Sequence, residues 1–339
     1  MRANIKDVAR KSGYSISAVS QALNNMPGTR LSEKAREKIA KCAKRLAYRP
    51  HPTALALRRG RGAAVSLILP DIFNPFFMDI ASGVQGALAA QGYEALIQHC
   101  GHDLKREQIL LAQAVERRAE GVVILAMNNA QHYGRYARRL PLVRLSGIRS
   151  GGGGTRIDSV AFDLTSGFCQ AADYLIKLGH TRIGLLNRRF DRRLIHSRRA
   201  GYIKALRQGG IVFDAGRVFE VDGFSAEAGY EFGRDHRDFL RKLTALLAYN
   251  DVMAIGLMKA ARESGLKIPG DLSIIGCDGI LWGEYSDPPL TTVCMPGRVA
   301  GQEAGRILLE RMQGRTERNQ GEQAIMPTSL IVRNSCGAI

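Results

Sequence analysis

Acidic residues are scarce in this chain: 31 Asp and Glu face 49 Lys and Arg across 339 residues, a formal net charge of +18. The six cysteines (Cys42, Cys100, Cys169, Cys277, Cys294, Cys336) lie singly with no C-x-x-C spacing, which argues against a disulfide framework or a zinc site. No apolar run approaches the ~18–20 residues that a membrane span needs, and no apolar stretch of the secretory type follows the N-terminus. A cytoplasmic protein with no membrane partner is expected. Catalytic patterns are missing too. The glycine run Gly151–Gly154 is not followed by G-K-[ST], no G-x-S-x-G elbow occurs, and no acid–base pair stands at a defined spacing. Neither a cofactor, a metal site nor an enzymatic activity is expected.

What the chain has is positive charge at one end. Residues 1–62 hold 15 Lys and Arg against 3 Asp and Glu, so +12 of the +18 sits in the first fifth of the chain. Such a segregated basic segment suits neutralisation of phosphates. Its pattern agrees. Ile5, Val8 and Ala9 share one helical face, Gly13-Tyr14-Ser15 makes a turn, and Ser15 is placed to cap a second helix, Ile16 to Asn24. That helix buries Val19, Ala22 and Leu23 and leaves Ser17, Ser20, Gln21 and Asn24 outward. A third helix starts at Ser32, with Ala35, Ile39, Cys42, Ala43 and Leu46 on one stripe. Two short helices about a glycine turn make a helix-turn-helix, whose second helix enters the major groove of DNA. Ile16, Ser17 and Gln21 are then placed to read base edges, and Ser15, Ser20, Asn24 and Tyr48 to hold phosphates.

Beyond residue 62 the pattern changes. Strands predicted at 65–69, 93–98, 121–126, 140–145, 158–162, 182–186, 217–221, 243–248 and 272–276 alternate with helices at 75–91, 103–119, 165–178, 196–209, 226–242, 252–265 and 297–313. Alternation of this kind predicts doubly wound parallel sheets, whose ligands sit beyond the carboxyl ends of the strands.

The segments Ile5-Lys6-Asp7-Val8-Ala9, Ser15 to Asn24, Leu31-Ser32 to Arg36 and Leu46-Ala47-Tyr48-Arg49-Pro50 resemble the LacI/GalR family of bacterial transcription regulators, and later motifs follow in the family's order. Ala18, His51 and Leu55 depart from it, standing where the family has Thr, Asn and Arg. The resemblance implies a helix-turn-helix domain (1–49), a hinge helix and linker (50–62) and a two-lobed, periplasmic-binding-protein-like body (63–339). Lobe 1 is expected over about 63–162 and 294–324, lobe 2 over about 163–293 and 325–339. It also implies that Leu57, on a hinge helix too short to persist alone, wedges into the minor groove. In the body it points to Asp71, Phe76, Phe77, Arg198, Phe224, Asn250, Asp251 and Asp278 as effector contacts.

The expected protein is a repressor that binds a palindromic operator as a homodimer and answers to a sugar-like effector. Several guanidiniums within Asn187–Arg193 leave an anionic sugar derivative open as that effector. Self-association is expected through Met253 to Ala261 and the loop of Trp282. Two alternatives are control by a protein co-regulator and an α/β enzyme tethered to DNA.

Overall fold

A computed structural model describes residues 3–23, 31–46, 48, 64–125, 130–146, 157–189, 192–314 and 321–339. The chain divides into two compact units, Met1–Gly62 and Ala63–Ile339. Asn24, Leu57 and the hinge segment 50–62 lie outside the described residues.

In the first unit, α1 (Ile5–Ser12), α2 (Ile16–Leu23) and α3 (Glu33–Arg45) pack around Val8, Val19 and Ile39, all fully buried. Local chemistry sets the boundaries. Asn4 and Asp7 form a reciprocal capping box, and Gly13 ends α1 at φ 78°. Ser15 Oγ accepts from Ala18 N at 3.1 Å and Ser32 Oγ from Ala35 N at 3.3 Å, opening the next two helices. Ser20 corrects the expectation: it is buried rather than outward. Helix α2 meets both α1 and α3, so its buried arc is wider than one stripe and takes in a small hydroxyl.

The second unit holds two six-stranded sheets, ordered β11-β5-β4-β3-β1-β2 and β12-β10-β9-β8-β6-β7. The first contains β1 (Ala64–Leu69), β2 (Glu94–His99), β3 (Val122–Leu125), β4 (Leu142–Ser146), β5 (Asp158–Phe162) and β11 (Gln323–Met326). The second contains β6 (Ile183–Arg188), β7 (Val218–Val221), β8 (Ala245–Leu247), β9 (Ser273–Asp278), β10 (Thr291–Cys294) and β12 (Ser329–Ile331). All pairings are parallel except β10 with β12. Helices cover the faces: α4 (Pro75–Ala89), α5 (Leu104–Glu116), α6 (Ala130–Ala137), α7 (Leu164–Lys177), α8 (Arg192–Gln208), α9 (Ala226–Asp235), α10 (Arg237–Leu240), α11 (Asp251–Glu263) and α12 (Gly297–Met312).

The chain crosses between lobes after β5, after β10 and after β11. Two crossings are tied together, since Thr328 Oγ1 donates to Asp163 O at 2.8 Å and Asp163 N to Met326 O at 3.0 Å. The expected lobe boundaries at 293/294 and 324/325 fall inside β10 and β11 instead of in these links. Helix α12 returns to lobe 1 and lies against α4 so closely that a Cβ on Gly301 would stand 2.1 Å from Ile80 O. Only hydrogen fits there.

Lobe 2 is organised by Asp251 at the start of α11. Its fully buried carboxylate accepts from Gly279 N and Ile280 N, each at 2.8 Å, and from Thr292 Oγ1 at 2.6 Å. Burial still pushes this carboxyl up, to about 6, against those three donors. The expected effector role of Asp251 is therefore corrected: its lone pairs are engaged in holding the loop after β9. Met253, Ala254, Leu257, Met258, Ala260 and Ala261 are buried within the lobe, in part against α9, so the face of α11 expected to meet a second copy is occupied inside the subunit. Replacing Asp251 by Ala leaves two amides and a hydroxyl unpaired, and we expect a loss of about 3 kcal/mol or more of stability. Asp278→Ala, which removes a neighbouring carboxyl from a strained backbone position, should leave stability near that of the parent. Denaturant unfolding of both variants checks this; equal losses contradict it.

Candidate functional site

A cavity lies between the lobes of the second unit, lined from the carboxyl ends of strands in both sheets. Lobe 1 supplies Asn74, Phe76 and Phe77 after β1, His102 after β2, and the ends of β3, β4 and β5. Lobe 2 supplies Arg188, Arg198, Tyr249, Asn250 and Asp278, and Met295 follows β10. The walls are mostly apolar, with polar groups converging from opposite sides, the usual build of a small-molecule site.

Each polar group has a local reason for its position. Asn74 caps α4, its Oδ1 accepting from Phe76 N at 3.0 Å, while its Nδ2 donates to Asp278 Oδ2 at 2.9 Å across the lobes. Asp278 ends β9 at φ 127°, a region that favours glycine, and the grip of Asp251 on the next two amides keeps it there. Burial, then repulsion from Asp251, drives the Asp278 carboxyl well above the usual carboxylate range. Arg198 is 4% exposed; its guanidinium carbon lies 4.1 Å from the Tyr249 ring centre and 5.6 Å from that of Phe168, and its Nε has no hydrogen-bond partner. A buried donor of this kind is ready for an acceptor on a ligand. Phe76 packs on Phe162 at 5.7 Å and on Phe77 at 5.5 Å, giving flat apolar faces.

Five of the eight expected residues line the cavity: Phe76, Phe77, Arg198, Asn250 and Asp278. Asn250 does so with its amide committed, Oδ1 accepting from Met253 N and Nδ2 donating to Phe224 O, both at 2.9 Å. The other three are corrected. Asp71 lies off the cavity, its Oδ1 accepting from Phe73 N at 2.8 Å to fix the turn before α4. Asp251 braces the β9 loop. Phe224 is not among the cavity walls; its ring packs on His102 and under Arg188. Asn74, His102, Arg188 and Tyr249 also line the cavity. Asn74 carried a signal in the loop after the first strand, before Pro75, and Arg188 in the basic run Asn187–Arg193; His102 and Tyr249 are identified only by the meeting of the two lobes.

In the first unit, Ser15, Ile16 and Ser17 are exposed at the start of α2 and Gln21 is partly exposed. Tyr48 packs partly against the helical core, its N donating to Ala43 O at 2.9 Å.

Comparison with known proteins accounts for both units. Residues 4–51 match the bacterial regulatory proteins of the lacI family, and residues 172–336 match the periplasmic binding protein-like domain. The chain is 33% identical to the HTH-type transcriptional repressor CytR of Escherichia coli (strain K12), covering 99% of this chain and 97% of that one. It is 31% identical to the HTH-type transcriptional regulator DegA of Bacillus subtilis (strain 168), covering 99% and 98%. Among solved structures, the Lac repressor dimer bound to operator and the anti-inducer ONPF shares the fold at a TM-score of 0.85 and 24% identity, with 100% of both chains covered. The CelR–cellobiose complex aligns at a TM-score of 0.73 and 26% identity, over 98% of this chain and 100% of that one. With its helix-turn-helix unit and its two-lobed body, the chain belongs to the lacI family of bacterial regulatory proteins, as a DNA-binding transcriptional regulator and not an enzyme.

Proposed function

We propose that the protein represses transcription by binding a palindromic operator as a homodimer, and that a sugar-like small molecule in the cavity between the lobes sets its affinity for DNA. The observation that carries the effector reading is the meeting of Arg198, Asp278 and Asn74 at one apolar-walled cavity drawn from both lobes. A ligand held by both lobes stabilises one relative arrangement of them, which is the requirement for coupling. Arg198 lines the cavity with an unpartnered Nε–H, and the one carboxyl among the described lining residues, Asp278, is driven by burial toward its neutral form. That balance favours a sugar derivative rich in acceptor oxygens. Related regulators lend support, one solved with cellobiose and another, from Enterococcus faecium, with bound ribose. A thermal-shift screen over sugars, sugar acids and sugar phosphates tests the reading; a family of hits that vanishes in Arg198→Ala supports it, and silence throughout favours control by a protein co-regulator.

Base reading is assigned to Ile16, Ser17 and Gln21 on α2, phosphate contact to Ser15, Tyr48 and Asn24, and the minor-groove wedge to Leu57; Ser20, buried, is left out. Gln21→Ala should relax base preference by about 1–3 kcal/mol at one position of each half-site. Binding of all operator variants with parental discrimination would place base reading elsewhere.

A palindromic site requires two copies. Leu281, Trp282 and Tyr285 are 63%, 56% and 76% exposed on one loop of lobe 2, an apolar group that suits burial against a second copy. The double variant Leu281→Arg, Trp282→Arg should sediment as a monomer at micromolar concentration and lose most operator affinity. A dimer retained in that variant moves the interface away from this loop.

A further inference from the structure

Besides the Asn74–Asp278 hydrogen bond, a second polar contact joins the lobes across the cavity. His102 lies in the loop between β2 and α5 of lobe 1; Arg188 ends β6 and Phe224 follows β7 in lobe 2. Arg188 Nη1 stands 3.0 Å from His102 Nδ1. A guanidinium only donates, so Nδ1 accepts and the neutral ring carries its proton on Nε2. The His102 and Phe224 ring centres are 3.6 Å apart, and the Arg188 guanidinium carbon sits 4.5 Å from the same Phe224 ring. His102 is held for this at φ 56°, with its backbone N donating to Pro70 O at 3.1 Å at the end of β1. Its Nε2 is buried without a partner, and the residue lines the cavity.

We propose that His102, Arg188 and Phe224 form a clasp across the effector cavity that joins the two lobes and lets go when His102 takes up a proton. The inference rests on the reading of the cavity as the effector site. Protonation would set an N–H of His102 against the Arg188 N–H and bring two cations to one aromatic face. Burial first, then the charges of Arg188 and His99, hold the ring down at about 3 in the clasped state. Phe77 and Phe224, which also pack on it, are uncharged. Asp103, on its own loop, accepts from Lys105 N and Arg106 N, and Arg106 Nε donates to His99 O. With the clasp open, the ring returns to water and to the ordinary value near 6.5. The open form therefore binds the proton more tightly. Closure is fully favoured above about pH 6.5 and weakens by up to about tenfold per pH unit as pH falls toward 3. While clasped, Nε2–H remains a donor for an acceptor oxygen of the effector.

The test uses the full-length protein with 15N-labelled histidine, followed by NMR between pH 8 and 5. His102, assigned by its loss in His102→Asn (Asn tolerates the left-handed backbone), should keep the Nε2–H tautomer and not titrate over this range. In Phe224→Ala its midpoint should return toward 6.5. A parental midpoint near 6.5, or one unmoved by Phe224→Ala, overturns the clasp. D-ribose and cellobiose serve as probes in a second arm at pH 7.5 and 5.5. A sugar that binds the parent at pH 7.5 should bind it equally at pH 5.5, since its His102 stays neutral with and without ligand, and should bind Phe224→Ala more weakly at pH 5.5 than at pH 7.5, because the free ring of that variant is protonated at the lower pH; a parent that loses affinity at pH 5.5, or a Phe224→Ala that does not, overturns the link to the effector. If neither sugar binds, the sugar reading is what suffers, and the NMR arm still decides the clasp.

Discussion

The buried carboxylate of Asp251 is the constraint on which the site depends. Two amides and a hydroxyl converge on it, and they belong to the loop after β9 and to the neighbouring strand β10. Without that anchor nothing in the local sequence would keep Asp278 at φ 127° with its carboxyl turned to Asn74 of the other lobe. Burial drives both carboxyls up, and Asp278 is raised further by repulsion from Asp251. Lobe 2 accepts that electrostatic strain, and in return a hydrogen-bonding side chain faces a cavity with apolar walls. Strain maintained by surrounding structure at such a place is a mark of function.

Cavity residues arrive from strand ends in both sheets, so the site exists only when the lobes are together. Among the described residues, the Asn74–Asp278 hydrogen bond and the His102–Arg188–Phe224 contacts link the lobes across it. Links of this number are weak enough to break and strong enough to bias. A ligand that adds contacts to both sides can shift such an equilibrium by ~1–3 kcal/mol, the usual range of coupling between two sites.

Much of the fold was legible in the sequence because local chemistry dictates it. Gly13, Ser15 and Ser32 announce the three N-terminal helices through their caps, and the Val, Ile and Leu runs of β1 and β3 announce buried parallel strands. The misses share a cause. Helix α6 is polar and carries Gly134; it is held by Tyr133 and Tyr136, both buried in a core that the sequence does not display. The helix read as continuous over 226–242 breaks at His236, whose ψ of 31° leaves the helix while its N donates to Phe232 O. Strands β10, β11 and β12 are short and partly polar, and their pairing comes from distant partners. The site divides in the same way: Phe76, Arg198 and Asp278 sit in motifs and Arg188 in a basic run, whereas His102 and Tyr249 acquire a role only from what faces them.

Under the proposed function, occupancy of the interlobe cavity sets operator affinity. Fluorescence anisotropy of a labelled operator at one fixed salt concentration tests it most directly, with the parent and Arg198→Ala each measured with and without the ligand that emerges from the screen. The account predicts that ligand changes parental affinity by ~5–150-fold and leaves the affinity of Arg198→Ala unchanged, the two proteins binding alike without ligand. An equal ligand response in both would place the regulatory site outside this cavity and contradict the account.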